Sequence, residues 1–143
     1  MKIIITEAQL SLLKESINPI TDLILKYRPS FMVEWGAPSF QEVNNGGCED
    51  FADLIFNKFP KITVLDDGVF WIDDWGEESW NEDGFKEYGY PPVNLNKITN
   101  FKIIGHVWIY YDNKHYDVEC PNGVSNAWEL PIFQRNLKKY LKE

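Results

Sequence analysis

Histidine and cysteine are scarce in this chain: His106, His115, Cys48 and Cys120 are all it has in 143 residues. Two cysteines cannot build a disulfide framework. No apolar run approaches the roughly 20 residues that a membrane-spanning helix requires. The opening, MKIIITEAQLSLLKES, has a short apolar stretch, but Glu7, Gln9, Ser11 and Lys14 interrupt it. No small-residue cleavage site follows, so it reads poorly as a secretory signal. The expectation is a cytoplasmic protein with reduced thiols, without membrane contact. Positive charge is also short, with 14 Lys and Arg against 22 Asp and Glu and a formal net charge of −8. A phosphate backbone would meet a repulsive average field, so nucleic acid is not an expected partner.

What the chain has is large side chains. Six Trp, seven Tyr and nine Phe, within 44% hydrophobic residues, supply material for one sizeable core, and the length suits a single domain spanning 1–143. Thr6 with Gln9 has the form of a capping box ahead of a short amphipathic helix over 6–15. Asn18 and Pro19 suit the start of a second helix, expected to reach about Tyr27 and to stop at Pro29. Residues 30–47 are rich in turn formers. A third helix begins at Cys48, where Cys48, Phe51, Ala52, Ile55, Phe56 and Phe59 follow helical spacing until Pro60. Lys61 to Leu65 reads as a strand.

Residues 66–92 form an acidic, aromatic insertion. From Asp66 to Glu87 it carries nine acidic residues against the single Lys86, interleaved with Phe70, Trp71, Trp75, Trp80 and Phe85. It reads either as a solvated charged face or as a rim facing a substrate. FKIIGHVWIYY (101–111) and HYDVEC (115–120) alternate as two strands around turn residues 112–114, a hairpin that Pro121-Asn122-Gly123 would end. A final helix is expected over 131–141, with Ile132, Phe133, Leu137, Tyr140 and Leu141 inward. Helices first and strands after give an α+β fold class, with N-terminal helices packed on an antiparallel sheet.

Cys48 follows two glycines and opens a helix. Orphan backbone N–H groups and the positive end of the helix dipole favour an anion there, which lowers a thiol pKa and makes a better nucleophile. The same N–H groups could hold an oxyanion. The plainer reading is a small buried hydrophobe on the apolar face. A thiol nucleophile needs a base, and His106, opening a strand after Gly105, is the stronger candidate; His115 sits beside the turn. The third group should be a carboxylate that sets the imidazole tautomer. If the hairpin closes through Asn113-Lys114, Tyr110 pairs with Asp117 and Trp108 with Glu119. Glu119 then becomes the diagonal neighbour of His106, ahead of Asp117 on reach. Zinc-type ligands exist among Cys48, His106, His115, Asp117, Glu119 and Cys120, but without CxxC or HExxH spacing no metal is expected.

GGCEDFADLIF resembles the transglutaminase-like motif in which a small-residue turn leads to Cys at a helix start. GHVWIYYDNKHYDVECP resembles that superfamily's second motif, with its His-small-Trp strand start and an acidic residue shortly before Pro. The resemblance to the transglutaminase-like, papain-like cysteine protease superfamily implies a papain-like fold with no cofactor. It implies acyl transfer on a polypeptide or other amide through a Cys thioester, with Cys48 as nucleophile and His106 as base. Peptidases, amidases, deamidases, crosslinkers and inactive relatives all belong to it. The acid falls on Glu119 or Asp117, since the usual Asp directly before Pro is absent. Trp35, Gln41 and Asn45 are candidates for the oxyanion-hole side chain. The opening IIITEAQLSLLKE resembles a leader on some bacteriophage-encoded proteins, which implies the host cytoplasm or the virion. The competing reading is a catalytically degenerate binding or phage structural protein on the same fold.

Overall fold

The computed structural model describes residues 6–7, 18–95 and 105–140. The helix expected over 6–15 therefore lies almost wholly outside the described residues, as do the first residues of the strand expected over 101–111.

The chain is α+β. Helix α1 (Pro19–Glu34) is followed by α2 (Phe40–Asn44) and α3 (Cys48–Lys58). Strand β1 (Thr63–Asp66) leads through a 3-10 turn (Asp67–Phe70) into the hairpin β2 (Trp71–Asp74) and β3 (Glu77–Trp80), then helix α4 (Glu82–Tyr88). Strands β4 (Val107–Tyr111), β5 (Lys114–Asp117) and β6 (Cys120–Val124) precede a 3-10 turn (Ala127–Glu129) and helix α5 (Pro131–Tyr140). The main sheet is antiparallel throughout, in the order β1-β4-β5-β6, and β2-β3 forms a separate two-stranded sheet.

Alternation along the strands divides the core in two. Ile109 and Tyr116 face one side and pack with Ile20, Ile24, Phe51 and Ile55 of α1 and α3. Leu65 and Trp108 face the other, where Phe70, Phe85, Trp128 and Phe133 cover them. The sheet is thus buried on both faces. The acidic insertion is neither wholly solvated nor merely a rim: its Phe70 and Phe85 are 2% and 0% exposed, and they stack at 5.5 Å.

Three expectations need correction. Pro29 does not end α1, which runs on to Glu34. A proline inside a helix frees the carbonyl four residues back, and Leu25 is 46% exposed, so that carbonyl can turn to water. Residues 30–47 are less irregular than their turn formers suggest, because Ser39 caps α2 by accepting from the Glu42 N–H at 3.2 Å.

The third correction concerns the hairpin. Its turn is Asp112-Asn113, with φ of 50° and 61°, instead of Asn113-Lys114. A two-residue turn of this kind needs positive φ at both positions, which Asp and Asn tolerate far better than Lys. Tyr110 therefore pairs with His115. Moving the turn by one residue shifts the partner by two, so the same side chains still share a face. Beyond Asp117 the chain turns at Val118-Glu119 and returns as β6, which pairs Cys120 with Asp117. Pro121-Asn122-Gly123 therefore continues the sheet instead of ending it; Pro121 is tolerated because β6 is an edge strand.

Candidate active site

Cys48 is the first residue of α3, and its N-cap Gly47 offers no side chain to the helix end. The first helical hydrogen bond runs from Phe51 N–H to Gly47 O at 2.9 Å, so the N–H groups ahead of Phe51 have no partner within the helix. Gly47 sits in a tight space. A Cβ there would stand 3.1 Å from the Trp35 ring and 3.2 Å from the Val43 carbonyl.

His106 comes from the opposite direction, just ahead of β4. Gly105 before it has φ of 73°, a conformation side chains avoid, and bends the chain so that its carbonyl lies 4.0 Å from the Cys48 sulfur. Asp67 holds that bend from the insertion, accepting from the Gly105 N–H at 3.2 Å and donating its own N–H to His106 O at 3.1 Å. The imidazole is 1% exposed, lies parallel to the Trp108 indole at 5.8 Å, and meets the Phe133 ring edge-on.

His106 Nε2 donates to Asp117 Oδ2 at 3.1 Å. Asp117 is 2% exposed, and its Oδ1 accepts from the N–H groups of Glu119 and Cys120 at 2.9 and 3.0 Å. With Nε2 occupied, buried Nδ1 is the other ring nitrogen, and it has no hydrogen-bond partner among the described residues. It is therefore the atom available to exchange a proton with the thiol.

The charges of the two groups support one another. Burial pushes the Cys48 pKa up, but the neighbouring His106 side chain with its imidazolium charge, and the backbone N–H groups of Val107 and Glu49, together outweigh it, leaving the pKa below its usual 9.0. Burial alone would lower the His106 pKa; the hydrogen bond to Asp117, the neighbouring Cys48 side chain and the charges of both raise it from 6.5 to about 9. The two shifts describe one coupling that favours thiolate beside imidazolium. Cys120 is the opposite case: burial, then the nearby Asp117 charge, lift it to about 11.

Glu119, preferred over Asp117 on reach, does not meet His106. The turn at 118–119 takes it off the strand, and its two carboxylate oxygens accept from Arg135 Nη1 and Nη2 of α5, each at 2.8 Å. Asn44 Nδ2 donates to the same group at 2.6 Å. His115 is also accounted for: its Nδ1 accepts from Trp108 Nε1 at 2.9 Å, and burial lowers its pKa to about 4.

A cleft of about 420 Å³ opens at the sulfur. Gln41, Asn44, Asn45 and Glu49 line one wall, and Ile132, Arg135, Asn136 and Lys139 the other. Two of the three oxyanion candidates, Gln41 and Asn45, thus border the cleft with Cys48. Trp35 does not; its ring is stacked on Phe31 at 6.2 Å and covers Gly47. Sequence reasoning missed the α5 wall. Positions 132, 135, 136 and 139 share one helical face, a signal legible in the sequence, but it carries no information about what that face opposes. Among the described residues no group of three or more His, Cys, Asp or Glu is arranged to hold a metal ion, and no helix is long and apolar enough to cross a membrane. Compared with known proteins, the chain matches no family model, no curated protein and no solved structure.

Proposed function

We propose that the protein is a thiol-dependent acyl-transfer enzyme of the transglutaminase-like, papain-like kind, with Cys48, His106 and Asp117 acting as a triad on an amide substrate. The observation that carries the reading is a buried imidazole whose Nε2 donates to a buried carboxylate, directly after Gly105, whose carbonyl lies 4.0 Å from the helix-tip thiol. Asp117 fixes the tautomer in which Nδ1 can take the thiol proton. The thiolate attacks the carbonyl carbon, forming the C–S bond and an oxyanion. The unpaired N–H of Cys48, with a side-chain amide from Gln41 or Asn45, is available to that oxyanion. As the intermediate collapses, the C–N bond breaks and the departing amine takes the proton from His106 Nδ1. Water or a second amine then gives a proton back to Nδ1, attacks the thioester and releases the thiolate. The resemblance of the opening residues would make the enzyme phage-encoded, working in the host cytoplasm or carried in the virion.

The test is acylation by p-nitrophenyl acetate. A burst of nitrophenolate with acetyl found on Cys48 is expected, absent in Cys48→Ala and strongly slowed in His106→Ala. Equal acetylation of Cys48 and Cys120, or none, would leave the degenerate binding protein as the better reading.

A further inference from the structure

The β2–β3 hairpin stands outside the main sheet and ends in an exposed aromatic. Trp75, at its tip, is 99% exposed, and Ile72 on the strand below is 43% exposed. The base is anchored differently. Trp71 and Trp80 meet edge to face at 4.6 Å, and Trp80 packs at 5.7 Å on the Phe85 ring of the second core. Folding accounts for the base, then, but not for the tip. Trp75 has φ of 56° and Gly76 has φ of 85°, a pair of conformations that Asn-Gly or Asp-Gly adopts with ease and Trp does not.

The charges between base and tip are arranged against themselves. Register pairs Asp73 with Glu78 and Asp74 with Glu77. Side chains directly opposite on an antiparallel pair are close neighbours, so each is a like-charge contact. One pair lies on each face of the ribbon, because successive residues point to opposite sides. Among the described residues no cation pairs with any of the four carboxylates. Nothing within the described chain relieves either the exposed indole or the two repelling pairs. An arginine or lysine side chain from outside would relieve the indole and one of the pairs at once, and a segment with several cations could serve both faces: their charge suits the carboxylates, and a cation suits the face of an indole.

We propose that the β2–β3 hairpin is a docking prong for a basic polypeptide segment, with Trp75 stacking on an Arg or Lys between the carboxylates of the two strands. The hairpin is joined to the site along the chain: Asp67, four residues before β2, holds the Gly105 backbone, whose carbonyl lies beside Cys48. Docking itself does not depend on the thiol chemistry, and it stands even if Cys48 is inert.

Calorimetric titration with an oligo-arginine peptide tests it, with an oligo-glutamate peptide and zwitterionic phosphatidylcholine vesicles as alternative ligands. Cys48→Ala serves as the parent, so that no peptide is consumed. The parent should bind oligo-arginine, weakening with salt, and ignore the other two. Trp75→Asn supplies the residue the turn prefers, so the hairpin is kept while the indole goes; affinity should fall roughly 5- to 30-fold. Neutralising the pairs, as D73N/E78Q with D74N/E77Q, should abolish binding. Equal affinity in Trp75→Asn would mean attraction by net charge alone and overturns the proposal. So would a parent that fails to bind oligo-arginine, or one whose Trp75 instead inserts into the vesicles.

Discussion

Replacing Asp117 by Asn is the sharpest perturbation of the site, because it changes one atom's chemistry and almost no volume. Asn Oδ1 can keep accepting from the N–H groups of Glu119 and Cys120, which Asp117 Oδ1 holds at 2.9 and 3.0 Å. The Asn Nδ2 would then face His106 Nε2, donor against donor, and the ring must shift its proton to Nδ1. That tautomer cannot take the thiol proton. A His106 pKa of about 9 in place of 6.5 corresponds to roughly 3 kcal/mol favouring imidazolium. Burial opposes that preference, and Asp117 heads the causes that produce it. Without the carboxylate the imidazolium is no longer favoured, and the Cys48 pKa should climb toward its ordinary 9.0 or beyond. Each unit of rise above pH 7 lowers the thiolate fraction at that pH about tenfold. Greater intrinsic nucleophilicity returns part of it, so alkylation slows roughly threefold per unit. The assay is iodoacetamide modification of Cys48 against pH, followed by mass spectrometry with Cys120 as internal reference. The Cys48 midpoint should lie well below that of Cys120 in the native protein and move upward in Asp117→Asn. Acyl transfer should fall further, by roughly 10²- to 10⁴-fold. An unmoved midpoint would refute the coupling of Asp117, His106 and Cys48.

Two companion measurements follow from neighbouring groups. His115 is buried and neutral, with its pKa lowered to about 4; its contribution is fully present above pH 6.5 and is lost as pH falls toward 4. Urea titrations should therefore show up to about 3 kcal/mol of acid destabilisation across that window that disappears in His115→Gln; identical pH dependence in both proteins would contradict it. Glu119→Gln weakens the two-pronged contact with Arg135, whose side chain is 32% exposed, and should cost about 1 kcal/mol of stability. It should leave the Cys48 alkylation profile in place, and a shift as large as that of Asp117→Asn would return Glu119 to the site.

Much of the local structure could be read without coordinates. The helix starting at Cys48 was legible because its apolar side chains repeat at 3.6 residues and Gly47 precedes them. The Asn18 cap was legible because a side-chain oxygen before a proline has few other uses, and Asn18 Oδ1 does accept from Ile20 N–H at 2.9 Å. The strand after His106 and the helix at Pro131 follow from the same periodicities. Choosing between Asp117 and Glu119 was harder. Both share the strand face of His106 under either turn, and only the break at Val118-Glu119 sends one carboxylate to the imidazole and the other to Arg135.

The sequence by itself thus determined the apolar faces and starts of α1, α3 and α5, and that one thiol stands at a helix tip with few possible bases in the chain. Those properties depend on neighbours within a turn or two. The tertiary structure decided that the acidic segment sends Phe70 and Phe85 into the second core, that α5 walls the cleft, and that His106 meets Asp117. Such contacts join residues far apart along the chain, and they depend on turn geometry and packing that no local pattern encodes. Trp71, Trp75 and Trp80 look alike in the sequence, and only the fold tells them apart: it packs Trp71 against Trp80 and leaves Trp75 in solvent.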